Sequence, residues 1–194
     1  FDMKLPNQNM TEEELVRGCV EGKPLFQQAL YKRFAAMMKG VCMRYSDTVE
    51  EAEDILQDGF IKVFMNLKNF RLDGSLEGWV RRIMVNTALN HYRANQKSAH
   101  HANIDEIGEV VPDIRIDNYD KLNTKVLLNM IEELPTGYRI VFNMFEIEGY
   151  SHKEIADALN ISINTSKSQL LKARRALQIK INELQKYENK RLEL

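Results

Sequence analysis

Laid out at about 100° per residue, Asn164, Ser168, Leu171, Lys172 and Arg175 fall on one side of a helical stretch, with Lys167 and Arg174 flanking them. Lysine and arginine side chains bind phosphate oxygens or guanine edges. A serine hydroxyl reaches a base edge, and a leucine packs against a thymine methyl. The chemistry these types suit is non-covalent recognition of duplex DNA, and a merely solvated helix has no use for a leucine amid that basic face. The other side of the same stretch, Ile163, Ser166, Leu170, Ala173 and Leu177, is the side expected to face inward.

A second helix must hold this one in place, and the preceding residues supply it. In "SHKEIADAL" Ser151 is a cap, and Ile155, Ala156 and Leu159 share a face on which the small Ala156 permits close approach of a neighbour. "NIS" (160–162) makes the corner, with Asn160 suited to the left-handed conformation. Face, cap and turn together favour a helix-turn-helix in the major groove over an ordinary basic surface helix.

Two further constellations lie upstream. In "EEAEDILQDGFIKVF" (50–64) Ala52, Leu56, Gly59, Phe60 and Val63, with Leu67 beyond, form a core face. Asp54, Gln57, Asp58 and Ile61 lie nearly opposite, and an isoleucine set among acids suits a protein partner with a basic surface. In "WVRRIMVNTALNHYR" (79–93) Arg82, Asn86, Asn90 and Arg93 line up at helical spacing, a poor core stripe and a good nucleic-acid face. The loop before it, Phe70, Arg71, Leu72, Asp73, Gly74 and Ser75, is suited to take an unstacked base. Trp79 is read as a core anchor.

The rest of the chain sets the frame. It has 194 residues, a formal net charge of −1, only four prolines and nine glycines, and is 44% hydrophobic, which favours a soluble helical protein over a strand-and-turn architecture. A helix start with a capping-box pattern is expected at 11–16, helices over 24–45, 46–70 and 76–96, and helices again after 120. "KSAHHANIDEIGEVVPDIRIDNYD" (97–120) is acidic and without period, hence a linker. The expected architecture is all-α: domains at 11–96 and 121–194 joined by that irregular segment. No apolar run reaches the roughly 20 residues of a membrane span, and "FDMKLPNQN" lacks a signal-peptide core, so a cytoplasmic location is expected. Cys19 and Cys42 read as buried reduced thiols. His91, His100, His101 and His152 are scattered, Glu12 to Glu14 are a helix start, and no catalytic, metal-ligand or phosphate-loop arrangement appears. The expectation is a non-enzyme with no cofactor, no metal and no small-molecule substrate.

"EEAEDILQDGFIKVF", then "GWVRRIMVNTALNHYR", then a linker, then "LPTGYRIVFNMFEIEGYSHKEIADALNISINTSKSQLLKARRAL" together closely resemble bacterial RNA polymerase sigma factors of the extracytoplasmic-function (ECF) type, most of all those of the Bacteroidetes. The resemblance implies a promoter-melting sigma domain 2 and a helix-turn-helix sigma domain 4. By it, Asp54, Gln57 and Asp58 match positions that grip the clamp helices of the polymerase β′ subunit. Arg82, Asn86, Asn90 and the 70–75 loop match the reader of the melted −10 element. Arg139, Lys167, Ser168, Leu171, Lys172 and Arg174 match −35 contacts. It further implies a β flap contact, a linker that threads the polymerase cleft, and an anti-sigma partner. Ser166, where the family has Val or Ile, is expected to loosen the helix-turn-helix core. A helix-turn-helix regulator that is not a polymerase subunit is the alternative; it leaves the Asp54–Asp58 face and the Arg82–Arg93 stripe without purpose.

Overall fold

The computed structural model describes residues 10–98 and 124–192, apart from the side chains of 97, 98, 124, 125 and 187–192. The linker expected at 97–120 lies almost wholly outside the described residues. All regular structure among those described is helical, and the chain divides after Ser98 into two compact units.

The first unit holds α1 (Glu12–Val20), α2 (Pro24–Met43), α3 (Val49–Asn66), a 3-10 turn (Leu67–Asn69) and α4 (Leu76–Ser98). Each start has a local cause. Thr11 and Glu14 form a reciprocal capping box, with Glu14 N–H donating to Thr11 Oγ1 at 3.2 Å and Thr11 N–H to Glu14 Oε2 at 3.1 Å. Pro24 occupies the first turn of α2, where its missing N–H leaves no gap. The helix expected over 46–70 is shorter. Thr48 takes the N-cap role, accepting from Glu51 N–H at 3.1 Å, so α3 begins at Val49 and ends in the 3-10 turn. Leu15, Leu30, Met38, Ile55, Leu67, Leu76, Met84 and Leu89 are fully buried between the helices. The Met84 side chain lies over Gly59, where a Cβ would sit 2.2 Å from its sulfur, so α3 and α4 approach closely there. The thiols of Cys19 and Cys42 are buried, and burial pushes them up to about 11 and about 12, which leaves them protonated and unreactive.

The second unit holds α5 (Thr124–Glu132), α6 (Thr136–Phe142), a π turn (Asn143–Ile147), α7 (His152–Leu159) and α8 (Ile163–Leu192). Ser151 and Glu154 form a capping box at the start of α7. Asn160 ends it with φ 56°, the left-handed geometry expected of the corner. The π turn was not foreseen. Its widened winding brings Phe145 and Glu146 against α7 and α8, as described below. Ile140, Met144, Ile155 and Leu177 are the fully buried large side chains of this unit.

Candidate nucleic-acid interface

On α3 the inward face contains Ala52, Leu56, Gly59, Phe60 and Val63 as expected, together with Ile55. Asp54, Gln57, Asp58 and Ile61 are exposed on the other side. Ile61 is 57% exposed, and Met65, one turn on and about 40° round the helix, is 69% exposed. Met65 therefore extends the apolar part of this face, which its i+4 spacing from Ile61 already signalled. Asp58 has a partner the sequence did not reveal: its carboxylate lies 2.9 Å from His91 Nε2 on α4. Lys62 Nζ donates to Thr87 Oγ1 at 3.2 Å and Asn95 Nδ2 to Glu51 Oε1 at 2.9 Å, so a polar seam runs along the α3–α4 contact.

On α4, Val80, Met84, Val85, Ala88 and Leu89 are buried, which turns Arg82, Asn86, Asn90 and Arg93 outward, all exposed. Arg93 donates to Asn90 Oδ1 at 2.6 Å, so the end of the stripe is held as a unit. Residues 71–75 of the preceding loop are exposed. Phe70 is half-buried, with its ring 5.5 Å from that of Trp79. Trp79 is thus not a core residue. It is half-buried at the foot of the loop beside Phe70, while Leu76 and Val80 on either side of it take the fully buried positions. Leu72 sits in the left-handed region at φ 59° and is 47% exposed, an uncommon conformation for a leucine and an apolar side chain open to solvent.

On α8, Ser166, Leu170, Ala173 and Leu177 are buried as expected, and Ile181 continues the stripe. Ile163 departs from it. As the first helical residue it precedes the packed part of the face and is 44% exposed. Asn164, Lys167 and Arg175 are exposed, while Ser168, Leu171, Lys172 and Arg174 are half-buried. The basic face is braced from behind. Arg174 Nε donates to Glu146 Oε1 at 2.8 Å in the π turn, and Lys172 Nζ lies 5.9 Å over the Tyr138 ring of α6. The Ser168 hydroxyl donates to the Thr165 carbonyl at 3.0 Å.

Arg139 requires a correction. It is 5% exposed, and its guanidinium donates to the Glu132 carbonyl at 2.9 Å. The last turn of a helix leaves carbonyls without intrahelical partners, and Arg139 fills one at the end of α5. It is a structural tie, not part of the exposed basic face. Ser166 also behaves differently from expectation. Its buried hydroxyl is matched by His152 Nδ1 at 2.9 Å, and the His152 ring stacks on Phe145 at 4.5 Å. A satisfied polar pair replaces the loose spot expected there.

Among the described residues no group of three or more His, Cys, Asp or Glu is placed to hold a metal ion, and no helix is long and apolar enough to cross a membrane. Residues 30–98 match the family model for sigma-70 region 2, and residues 124–177 match that for sigma-70 region 4. The chain is 27% identical over 176 residues to the RNA polymerase sigma-H factor of Pseudomonas aeruginosa, covering 86% of this chain and 91% of that one. It is 25% identical over 187 residues to the ECF RNA polymerase sigma-E factor of Haemophilus influenzae, covering 91% and 98%. A solved structure of the sigma factor RpoE with the anti-sigma factor NepR from Bartonella quintana aligns with a TM-score of 0.48 at 20% identity, over 80% of this chain and 96% of that one. With an exposed acidic face and polar stripe within region 2 and a braced basic helix within region 4, the chain belongs to the sigma-70 family and is an RNA polymerase sigma factor of the ECF type, directing transcription from specific promoters.

Proposed function

We propose that this sigma factor works through three separate surfaces. Asp54, Gln57, Asp58 and Ile61, extended by Met65, dock on the basic clamp helices of the polymerase β′ subunit. Arg82, Asn86, Asn90, Arg93 and the 70–75 loop hold the unpaired −10 strand. Lys167, Ser168, Leu171, Lys172, Arg174 and Arg175 meet the −35 duplex, and region 4 also meets the β flap. The protein catalyses nothing itself. It places the polymerase and captures unpaired bases as they appear. The working units are 11–96 and 121–194, acting in the cytoplasm with 97–120 between them, and an anti-sigma factor is the expected regulator.

One observation carries this reading. The first unit bears two unlike exposed faces on neighbouring helices, an acidic one with Ile61 57% exposed on α3 and a polar, basic one on α4. A helix-turn-helix regulator acting alone needs neither. Apolar residues ringed by acids fit a basic protein partner, and amides with guanidinium groups fit a single strand. The test is in vitro transcription from a genomic fragment library with cognate core polymerase. Discrete start sites that require the added protein are expected. DNA binding by the protein alone, with no new start sites on adding polymerase, would favour the stand-alone regulator.

A further inference from the structure

The geometry points to Glu12, at the start of α1, as a positioning residue for the −10 loop. The inference rests on the reading of that loop given above. The Oε2 of Glu12 accepts the backbone N–H of Leu76 at 3.0 Å, across 64 residues of sequence. Leu76 is the first residue of α4 and directly follows the loop. The first N–H groups of a helix have no partners within it. Here two of them are taken by carefully placed oxygens: Ser75 Oγ accepts from Gly78 N–H at 3.0 Å, a local cap, and Glu12 accepts from Leu76 N–H. The negative carboxylate also faces the positive end of the α4 dipole.

The carboxylate has a second neighbour. Its other oxygen lies 4.0 Å from Arg33 on α2. The α1 backbone beside it is set by the Thr11–Glu14 capping box, and α1 packs on the 3-10 turn that leads into the loop. Both ends of the six-residue loop are thereby anchored. At the entry the Phe70 ring leans on Trp79 and Phe70 N–H donates to the Leu67 carbonyl at 3.1 Å. At the exit Glu12 holds Leu76. Between these anchors Leu72 is kept at φ 59° and exposed. A strained residue persists only where its surroundings over-determine it, and the Glu12 tie is the one long-range hydrogen bond at this end of the loop among the bonds described. Glu12 touches no DNA in this account. It acts by holding the loop in the shape that receives the unstacked base, before the strand opens.

The test uses full-length protein in holoenzyme with core polymerase. Glu12→Ala, Glu12→Asp and Glu12→Gln are compared for core affinity, for closed-complex formation and for the rate of strand opening by permanganate reactivity. Opening is measured on promoters that differ at single −10 bases. Losing one charged hydrogen bond corresponds to roughly a tenfold effect. Glu12→Ala is expected to slow opening about tenfold and to flatten the preference among −10 bases, with core affinity and closed complexes near wild type. Glu12→Gln keeps a carbonyl acceptor at the same reach and is expected to restore most of the preference. Should Glu12→Ala fold poorly, Glu12→Asp, which draws the acceptor back by one methylene, carries the same expectation. A purely structural role predicts loss of stability with unchanged base preference in whatever protein remains folded, and that result would overturn the proposal. Leu72→Ala separates the two levels. If it alters −10 preference while the Glu12 variants do not, the positioning role of the Glu12–Leu76 tie is wrong. If neither does, the reading of the loop itself has failed.

Discussion

His152 Nδ1 lies 2.9 Å from the buried hydroxyl of Ser166, joining the first turns of α7 and α8, the two helices of the DNA-reading corner. Partial burial, then the nearby charges of Lys167 and Arg174, hold the imidazole below its ordinary value. Arg174 is itself paired with the Glu146 carboxylate at 2.7 Å. A depressed histidine pKa means the folded chain takes up its proton later than the unfolded chain does. The corresponding stability is complete above the unfolded value, about 6.5, and is lost as pH falls through the lower folded value. Protection of the amides of residues 151–178 in the full chain, taken from the exchange rate relative to the intrinsic rate at each pH, should therefore fall between pH 7.5 and 5.5, and His152→Gln should remove most of that change. Equal pH dependence in the two proteins would contradict the coupling.

Reading and anchoring on α8 can be separated. Leu171 and Ser168 stand at the middle of the recognition face, whereas Lys167 and Arg175 are its exposed cations. Leu171→Ala or Ser168→Ala should shift preference among −35 sequences by roughly 1–3 kcal/mol at an affected base pair. Arg175→Ala should weaken all sequences alike and flatten the salt dependence by about one phosphate contact. Binding to a randomised −35 pool at several salt concentrations decides. Wild-type preference and affinity in Leu171→Ala would remove that residue from the groove.

On α4, Arg82→Ala or Asn86→Ala should slow strand opening, each by about tenfold for one lost polar contact, and spare closed-complex formation. Permanganate footprinting beside a mobility shift checks this. Equal loss in both assays would move these residues to the duplex.

The corner itself makes a stability prediction. Asn160 holds φ 56°, a conformation open to glycine and asparagine and costly for branched side chains. Asn160→Gly should melt within a few degrees of wild type, whereas Asn160→Val should lose about 1–2 kcal/mol. Thermal unfolding of the two variants is the measurement, and equal melting temperatures would contradict the strain argument.

Much of this was legible in the sequence, and the boundary is physical. The core face of α3 and the outward stripe of α4 follow from helical periodicity, because one buried side decides where every other residue points. The caps at Thr11 and Ser151 and the left-handed Asn160 are local chemistry and were readable for the same reason. Periodicity says which side a residue takes, not how deep that side is packed at a given turn. Hence Ile163 was expected inside and is exposed, and Trp79 was placed in the core and stands at the foot of the loop. Arg139 entered the −35 set by resemblance alone, and a matched position does not show the carbonyl of Glu132 that its guanidinium caps in this chain. The ties from Glu12 to Leu76, Asp58 to His91 and Glu146 to Arg174 join residues 28 to 64 apart, and no local pattern announces such partners.

The central claim is that the acidic face of α3 docks this protein on polymerase while its opposite side carries the fold. Asp54 and Asp58 are both exposed, so Asp54→Lys with Asp58→Lys spares the apolar core, gives up only the surface tie from Asp58 to His91, and sets like charge against a basic partner. The direct measurement is the affinity of the double variant for purified core polymerase, beside its thermal unfolding. The account predicts unfolding within about 1 kcal/mol of wild type, the scale of the one exposed Asp58–His91 pair that is lost, with affinity lowered by roughly a hundredfold or more and no initiation in transcription assays. Wild-type affinity in the folded double variant would contradict it.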